Sequence, residues 1–340
     1  MNQNATLFRP AALQRFAANT NVTTDAGLTA EMKTYYDRTL IEAAEPNLVH
    51  RQFGEARPIP AGNGRKIEFR AFDPLPKNVT ELTEGVTPDG KKMKVRAIEA
   101  TVGQYGDYVE LSDLLELTAL DPIVAQTTRA IGAQAGRSLD AIARDVLAAG
   151  TNVQYAAGQV ASRAALVGGK PDAADNHYLT VDCIKRAVRT MKVNNVNPFE
   201  DGYYVAIIHP DVTYDLTSDP DWKKPHEYVD TEHLYNGEIG RVAGVRFVET
   251  SEAKIFPGAG AEGRDVYATL VIGRGAYGVS EVEGGGLTTI VKPLGSAGSA
   301  DPLNQRSTIG WKAILATKIL QEQNMVRIET TSTFHEGAVE

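Results

Sequence analysis

Two strand-like segments in the first third of the chain constrain the fold most, because together they predict a long β-hairpin without a core of its own. Residues 65–72, RKIEFRAF, alternate apolar and charged side chains, as a β-strand with one apolar face does. Residues 92–97, KMKVRA, alternate in the same way after a predicted Asp89-Gly90 turn. The intervening stretch, 73–91, contains three prolines and is typical of a loop. Isolated hairpins are marginally stable in water, so this one needs a surface to lie on.

The apolar positions of the second segment change parity near residue 97. Met93 and Val95 occupy odd positions, whereas Ile98 and Ala100 occupy even ones. A shift of one residue moves side chains to the opposite face of a strand. The sequence therefore predicts a bulge or bend near residues 97–98.

The rest of the chain mixes helical and strand patterns, which predicts an α+β fold. Helical spacing of apolar residues predicts helices over 29–45, directly after Ser112, over 122–149 and over 180–191. His209-Pro210-Asp211 is typical of the start of a further helix. Compact apolar runs predict buried strands of a mixed sheet at 203–209, 245–248 and 266–272. The Gly/Ser-rich residues 284–299 suggest a linker, and strands are predicted at 311–320 and 325–331.

The longest predicted helix has Asp121 as its cap, Pro122 at its first position and Gly150 just past its end. At 1.5 Å per residue it would be about 40 Å long. Gly132 and Gly136 lie one turn apart on the same face. Because each glycine costs about 1 kcal/mol in a helix interior, the pair predicts close contact with another backbone.

Composition excludes several classes of protein. The 340 residues are 42% hydrophobic and suffice for one large or two medium cores. A net charge of −8 argues against a dedicated reader of nucleic acid. The single cysteine, Cys183, excludes an internal disulfide framework and fits a reducing compartment. No apolar run approaches the length of about 18–20 residues that a membrane helix needs, so we expect no membrane partner.

Motifs for catalysis or cofactor binding are weak. The cluster at 225–235, PHEYVDTEHLY, contains His226 and His233, but their spacing of seven differs from the His-Glu-x-x-His of zinc proteases. A solvated acidic loop is the favoured interpretation, and a metal-dependent enzyme using this cluster is the least favoured function. The glycine-rich stretches 61–66 and 272–278 precede no helix, unlike phosphate-binding loops. We therefore predict no enzyme, no catalytic, metal or cofactor-binding residues, and no cofactor.

The predicted hairpin carries charges of both signs, with acidic residues interspersed among Lys91, Lys92, Lys94 and Arg96. A mixed-charge face suits docking on a complementary protein surface; a solvated hairpin without a partner is the alternative. The residues predicted to lie at an assembly interface are Thr87, Pro88, Asp89, Gly90, Lys91, Lys92, Met93, Lys94, Gly132 and Gly136.

Several phrases taken together resemble a known family. They are LTAEMKTYYDRTLIEAAEPNLVHRQFG, RPIPAGNGRKIEFRAFDPLP, LTEGVTPDGKKM, QYGDYVELSDLLELTALDP and GTNVQYA, in this order. The chain is similar in them to the N-four-type major capsid proteins of tailed bacteriophages, densely from residue 28 to 157 and more loosely beyond.

The resemblance implies a Hong Kong 97-like phage capsid fold. It has an N-terminal arm, an E-loop hairpin, a P-domain with a long spine helix, and an A-domain. The divisions expected from it are 1–50 for the arm, 51–110 for the E-loop and its flanks, 111–175 for the P-domain with the spine helix, 176–290 for the A-domain, and 291–340 for P-domain return strands and the C-terminus.

The function implied is that of a major capsid protein that self-assembles into an icosahedral head around double-stranded DNA. The expected partners are copies of itself in hexamers and pentamers, scaffolding, portal and decoration proteins, and packaged DNA contacted non-specifically. The protein would be made in the bacterial cytoplasm and reside in the virion. The alternative is an encapsulin-type shell protein of a cellular nanocompartment.

Overall fold

The structure is a computed structural model that describes residues 38–44, 48–60, 64–72, 75, 77–81, 84–85, 87, 90–93, 95–118, 122–156, 160–168, 177–226, 238–298 and 301–334. Its helices are α1 38–44, α2 Asp113–Thr118, α3 Ile123–Ala148, α4 Val181–Val193, α5 Pro210–Ser218 and α6 Pro220–His226. Its strands are β1 Glu55–Ala56, β2 Lys66–Phe72, β3 Val95–Thr101, β4 Gly103–Ser112, β5 Val153–Tyr155, β6 Tyr204–Ile208, β7 Glu238–Val242, β8 Val245–Glu249, β9 Ile255–Phe256, β10 Val266–Ile272, β11 Tyr277–Glu281, β12 Thr288–Lys292, β13 Arg306–Ile319 and β14 Met325–Thr330. The predicted combination of helices and strands is confirmed.

The first sheet is built around β13, the longest strand. β4 pairs antiparallel along one edge of β13, and β11 and β12 pair along the other. Alternate residues of β13, including Trp311 and Leu315, lie in one buried cluster with Leu139 of α3. Trp311 also donates its indole N–H to Gln134 of α3, at 3.0 Å. The long helix therefore covers one face of this sheet.

The second sheet is mixed and has seven strands. Its path is β5-β14-β10-β6-β8-β7, with β9 paired to β10. Every residue of β6, β10 and β14 is buried. β6 and β8 run parallel, which the continuous apolar run of β6 favours. The predicted buried strands of a mixed sheet are confirmed.

The helices α4 and α5 begin at residues whose side chains cap them. The side chain of Thr180 caps α4 by accepting the Cys183 N–H at 3.4 Å. His209 caps α5, with Pro210 in its first turn. Cys183 is fully buried, and burial raises the pKa of its thiol, as expected for a packing residue.

The two sheets meet at a third cluster, in which the ring of Tyr277 from β11 lies among buried residues of β6 and β10. The Tyr277 hydroxyl donates to the carbonyl oxygen of His50. His50 in turn bonds through its backbone N–H and Nδ1 to Asp140 of α3, both at 2.6 Å and both side chains fully buried. No local sequence pattern predicts the pairing of His50 with Asp140, because the two residues lie 90 positions apart.

Buried ionic groups tie α3 to the second sheet. Arg163 donates two hydrogen bonds of 2.7 Å to Glu329, which also accepts from Arg327 at 2.8 Å. Arg327 then donates to the carbonyl oxygen of Gly150 at 2.8 Å. The guanidinium thus satisfies a carbonyl just past the end of α3.

Some predicted boundaries change. Pro122 lies at the cap position and α3 begins at Ile123, while Asp121 lies outside the described residues. The segment 284–299, predicted as a linker, contains β12, because alternate residues there pack against β13. β13 and β14, both expected to be P-domain return strands, belong to different sheets.

Of the helix predicted over 29–45, the described residues 38–44 are helical. Among the described residues no helix combines the length and hydropathy needed to cross a bilayer.

Candidate assembly surfaces

The predicted hairpin forms a two-stranded ribbon, residues 66–101, which we call the ribbon. β2 and β3 pair antiparallel without a break from Lys66↔Thr101 to Phe72↔Val95. The bulge predicted near 97–98 is therefore wrong. In the described part of the chain neither strand pairs with another sheet.

The base of the ribbon lies on the first sheet. Phe69 and Ala100 are buried in a cluster with Ile59 and Ala316. Gly278 of β11 makes room for this contact, because a Cβ at that position would lie 2.6 Å from Cε1 of Phe69. The ribbon is thus anchored at its base by Phe69 and Ala100, with Ile67 and Ile98 packed beside them.

The described residues of the distal half of the ribbon are exposed. Val79 is 92% exposed, Met93 59% and Val95 50%. Of the predicted interface residues in this region, the exposed ones are Thr87, Gly90, Lys91, Lys92 and Met93. Pro88, Asp89 and Lys94 lie outside the described residues.

The regular register explains the change of parity. Phe69 lies directly opposite Ile98 in the ladder, so both side chains share the face that meets the body. Val95 is three positions from Ile98 and therefore points to the other face. The ribbon turns one apolar face inwards at its base and the other outwards towards its tip.

A second uncovered surface was missed from the sequence: β4 together with α2, residues 103–118, which we call the β4–α2 surface. Within the described residues β4 pairs only with β13, so its other edge is free along ten residues. Tyr108 is 63% exposed on β4, and α2 buries none of its residues, with Leu114 67% and Leu117 82% exposed. The sequence signal that could have identified this surface is the presence of three leucines in a six-residue helix that follows a strand without lysine or proline.

The β4–α2 surface is acidic. Asp107 accepts hydrogen bonds from the side-chain amide of Gln134 and from the Tyr108 N–H, and these bonds lower the pKa of its carboxyl group. Glu110 lies 4.0 Å from Arg306 and its side chain is half exposed. Asp107 is consequently anionic at neutral pH.

One glycine of the α3 pair, Gly132, serves a contact inside the chain. A Cβ at Gly132 would lie 2.6 Å from the carbonyl oxygen of Leu40, so the glycine admits the backbone of α1. Gly136 is buried on the same helix. We therefore leave both outside the proposed contact surface.

No group of three or more potential metal ligands occurs among the residues that the structure describes. His226 ends α6, whereas His233 lies outside the described residues, so the geometry of that cluster is not part of the structure.

Comparison with known proteins agrees with this architecture. The chain is 14% identical to a protein of the Ralstonia phage GP4 capsid, with a TM-score of 0.63 over 82% of this chain and 87% of that one. It is 16% identical to a chain of the cyanophage Pam1 capsid, with a TM-score of 0.59 over 82% and 91%. These likenesses show a shared fold. No curated protein matches the chain.

The sequence pattern of a family described as phage capsid protein matches residues 95–328, which is more than half of the chain. The match begins at the first residue of β3 and ends within β14. This protein is therefore a member of the phage capsid protein family, a structural component of a viral shell and not an enzyme.

Proposed function

We propose that the protein is the major capsid protein of a tailed bacteriophage and self-assembles into the icosahedral head that encloses double-stranded DNA. The observation that carries the proposal is the distal ribbon, whose apolar side chains Val79, Met93 and Val95 have no cover within the described chain. A soluble monomer rarely exposes such a surface, which instead marks a protein contact. Copies of the chain supply the cover when each ribbon reaches a neighbour.

Assembly by ribbons favours a closed shell. A contact that joins one surface to a different surface on the next copy is heterologous, and such contacts form rings when the rotation between copies closes. Many moderate contacts then stabilise the particle, although none needs to be strong alone. The proposed rings are hexamers and pentamers.

The proposed division of the chain follows the Hong Kong 97-like plan. Residues 1–50 form the N-terminal arm, 51–110 the E-loop with its flanks, 111–175 the P-domain with the spine helix α3, 176–290 the A-domain, and 291–340 the P-domain return strands and C-terminus. β14 departs from this scheme, since it pairs with β10 in the second sheet.

The remaining partners follow from the same function. Scaffolding, portal and decoration proteins would bind the shell, and DNA would touch its inner wall without sequence readout. The net charge of −8 favours a shell wall that encloses DNA without binding it tightly. The protein would be made in the host cytoplasm and end in the virion.

Electron microscopy and sedimentation of the purified full-length chain test the proposal. We expect closed shells or tubes of regular subunits, and DNA rather than enzyme cargo in particles from infected cells. Deleting residues 80–92 should leave a folded subunit, judged by circular dichroism, that no longer assembles. A wild-type chain that stays a monomer at high concentration, or a deletion variant that assembles at wild-type yield, would contradict the proposal.

A further inference from the structure

The exposed face of α4 is basic in a chain whose net charge is negative. Residues 181–196, VDCIKRAVRTMKVNNV, contain four basic residues and one acidic residue, whereas the whole chain has a net charge of −8. Lys185, Arg189 and Lys192 follow one another at spacings of four and three residues, so they lie on one face of the helix. We call these three residues the basic row.

Packing against the second sheet fixes the direction of the basic row. Ile184 and Met191 of α4 are buried in one cluster with residues of β6, β10 and β14. The three cations of the row are exposed on the other side of the helix. Since α4 is capped at its start and packed along its length, it holds these cations on a rigid element, directed away from the sheet.

Two of the four cations of α4 have acidic partners. Arg186 donates to Asp182 at 2.7 Å, and Lys185 donates to Asp221 of α6 at 3.2 Å. The two cations in the second half of α4 have no ion-pair partner within the part of the chain that the structure describes. Uncompensated positive charge is therefore concentrated at that end of the helix.

The turn beside the basic row leaves it accessible. Ala243, in the turn between β7 and β8, lines a shallow depression together with the three cations of the row. Ala243 and Gly244 have positive φ angles of 55° and 82°, as in the tight turns that join adjacent strands. Both residues are small, so this turn does not obstruct a rod-shaped ligand lying along α4.

The composition of this face favours a phosphate ligand over a protein. The core of a protein interface is apolar and depleted of lysine, whereas α4, all of whose residues the structure describes, exposes one large apolar side chain, Val193. Phosphate oxygens accept hydrogen bonds from Arg, Lys and Asn side chains, and Asn194 and Asn195 are exposed directly after the row.

The length of the basic row also matches a duplex. At 1.5 Å per residue the row spans about 10 Å. Each strand of double-stranded DNA carries one phosphate per about 3.4 Å of helix axis. The three cations therefore face about three phosphates of one strand.

We propose that the exposed face of α4 lies on the inner wall of the shell and contacts the phosphate backbone of packaged double-stranded DNA. The inference rests on the proposed function and names the surface of the wall that touches the DNA. The contact is independent of base sequence, because the cations bind phosphates. It is weak and sensitive to salt, since the acidic remainder of the chain repels the duplex.

Binding of a fluorescent duplex of about 30 base pairs to the full-length subunit, below the concentration that forms shells, tests the contact. The α4 variant carries Arg189→Gln and Lys192→Gln. The control variant carries Lys292→Gln and Lys318→Gln, which remove the same charge from exposed positions on the first sheet. Circular dichroism verifies that both variants are folded.

Fluorescence anisotropy should show that the α4 variant binds the duplex about tenfold more weakly than the wild type at low salt. The slope of log affinity against log salt concentration should become shallower by about 2, because each lost cation removes about one phosphate contact. The control variant should keep nearly the wild-type affinity.

Chemical labelling tests which side of the shell α4 faces. In the Lys192→Cys variant, a small maleimide should label the introduced thiol in shells and in unassembled subunits alike. A maleimide attached to a large polyethylene glycol should label the unassembled subunits and not the closed shells. Because Cys183 is buried, the wild-type chain should give no background.

The outcomes separate this proposal from the proposed function. An α4 variant that binds the duplex as the wild type does, or an equal loss in the control variant, overturns the DNA contact. Labelling of intact shells by the large maleimide overturns the inward position of α4. An α4 variant that loses affinity for poly-glutamate but not for the duplex assigns the face to an acidic protein and overturns the DNA contact as well. A wild-type chain that forms no particles overturns the shell function, whatever the duplex measurement gives.

Discussion

The second sheet and the ribbon differ in how completely the chain buries their apolar side chains. All seven residues of β10 are buried, and its neighbours β6 and β14 are buried throughout. Among the described residues of the ribbon, the base is covered and the distal apolar side chains face solvent. The sheet completes its core within one chain, whereas we propose that the ribbon is covered by a second copy. Substitutions should therefore act on folding in the first region and on assembly in the second.

The largest effect is expected from Phe247→Ala in β8. Phe247 is fully buried and packs edge-on against Trp222, with ring centroids 5.3 Å apart. Removing the ring leaves a cavity, so the free energy of unfolding should fall by about 3–5 kcal/mol. Denaturant unfolding of the unassembled subunit measures this loss. A variant as stable as the wild type would contradict this distinction between the two regions, because burial in the second sheet would then not stabilise the fold.

An intermediate effect is expected from Tyr277→Phe at the junction of the two sheets. The loss of the hydroxyl leaves the buried His50 carbonyl without its donor, which should cost about 1–3 kcal/mol of unfolding free energy. The control is Tyr214→Phe, because Tyr214 is exposed on α5.

The variant Tyr277→Phe should also change how the stability of the folded state depends on pH in the alkaline range. Burial raises the pKa of Tyr277 above the usual value of a phenol. The folded state therefore keeps the proton, and wild-type stability falls as pH rises above about 10, where the phenol ionises in the unfolded chain. Tyr277→Phe should reduce that slope, measured by thermal unfolding between neutral and alkaline pH. An unchanged slope would show that this tyrosine does not contribute.

The smallest effect on folding is expected from Val79→Ser in the ribbon. The side chain is 92% exposed, so the free energy of unfolding should change by less than about 0.5 kcal/mol. Assembly, measured by light scattering, should nevertheless slow. The matched core change is Val205→Ser in β6, which is fully buried and should destabilise the subunit. Equal losses of stability at the two positions would remove the distinction between the regions.

Sequence reasoning succeeded where the signal is local. The helix α4 has Thr180 as cap and an apolar stripe, and β10 is one continuous apolar run, so both were predicted close to their observed bounds. The ribbon strand β2 was also predicted, because alternation of apolar and charged residues needs no partner to be recognised.

Sequence reasoning failed where the structure of a segment depends on residues that are distant in the sequence. β12 was interpreted as a linker because glycines surround it, and only the pairing with β13 makes it a strand. The shift of parity near residue 97 suggested a bulge, but the ladder is regular, with Ile98 on the face that meets the body and Val95 on the exposed face. The β4–α2 surface was missed because exposure of Leu117 depends on what the rest of the chain leaves uncovered.

The anchoring of the ribbon through Phe69 has a geometrical consequence. Phe69 is the fourth of the seven residues of β2, so about 10 Å of paired strand extends beyond its contact with Gly278. A tilt of about 5° at this contact would displace the far end of the paired strands by about 1 Å. If the ribbon contacts a neighbouring copy as proposed, the angle between adjacent subunits, and with it the curvature of the particle, would depend in part on how the ring of Phe69 packs on Gly278.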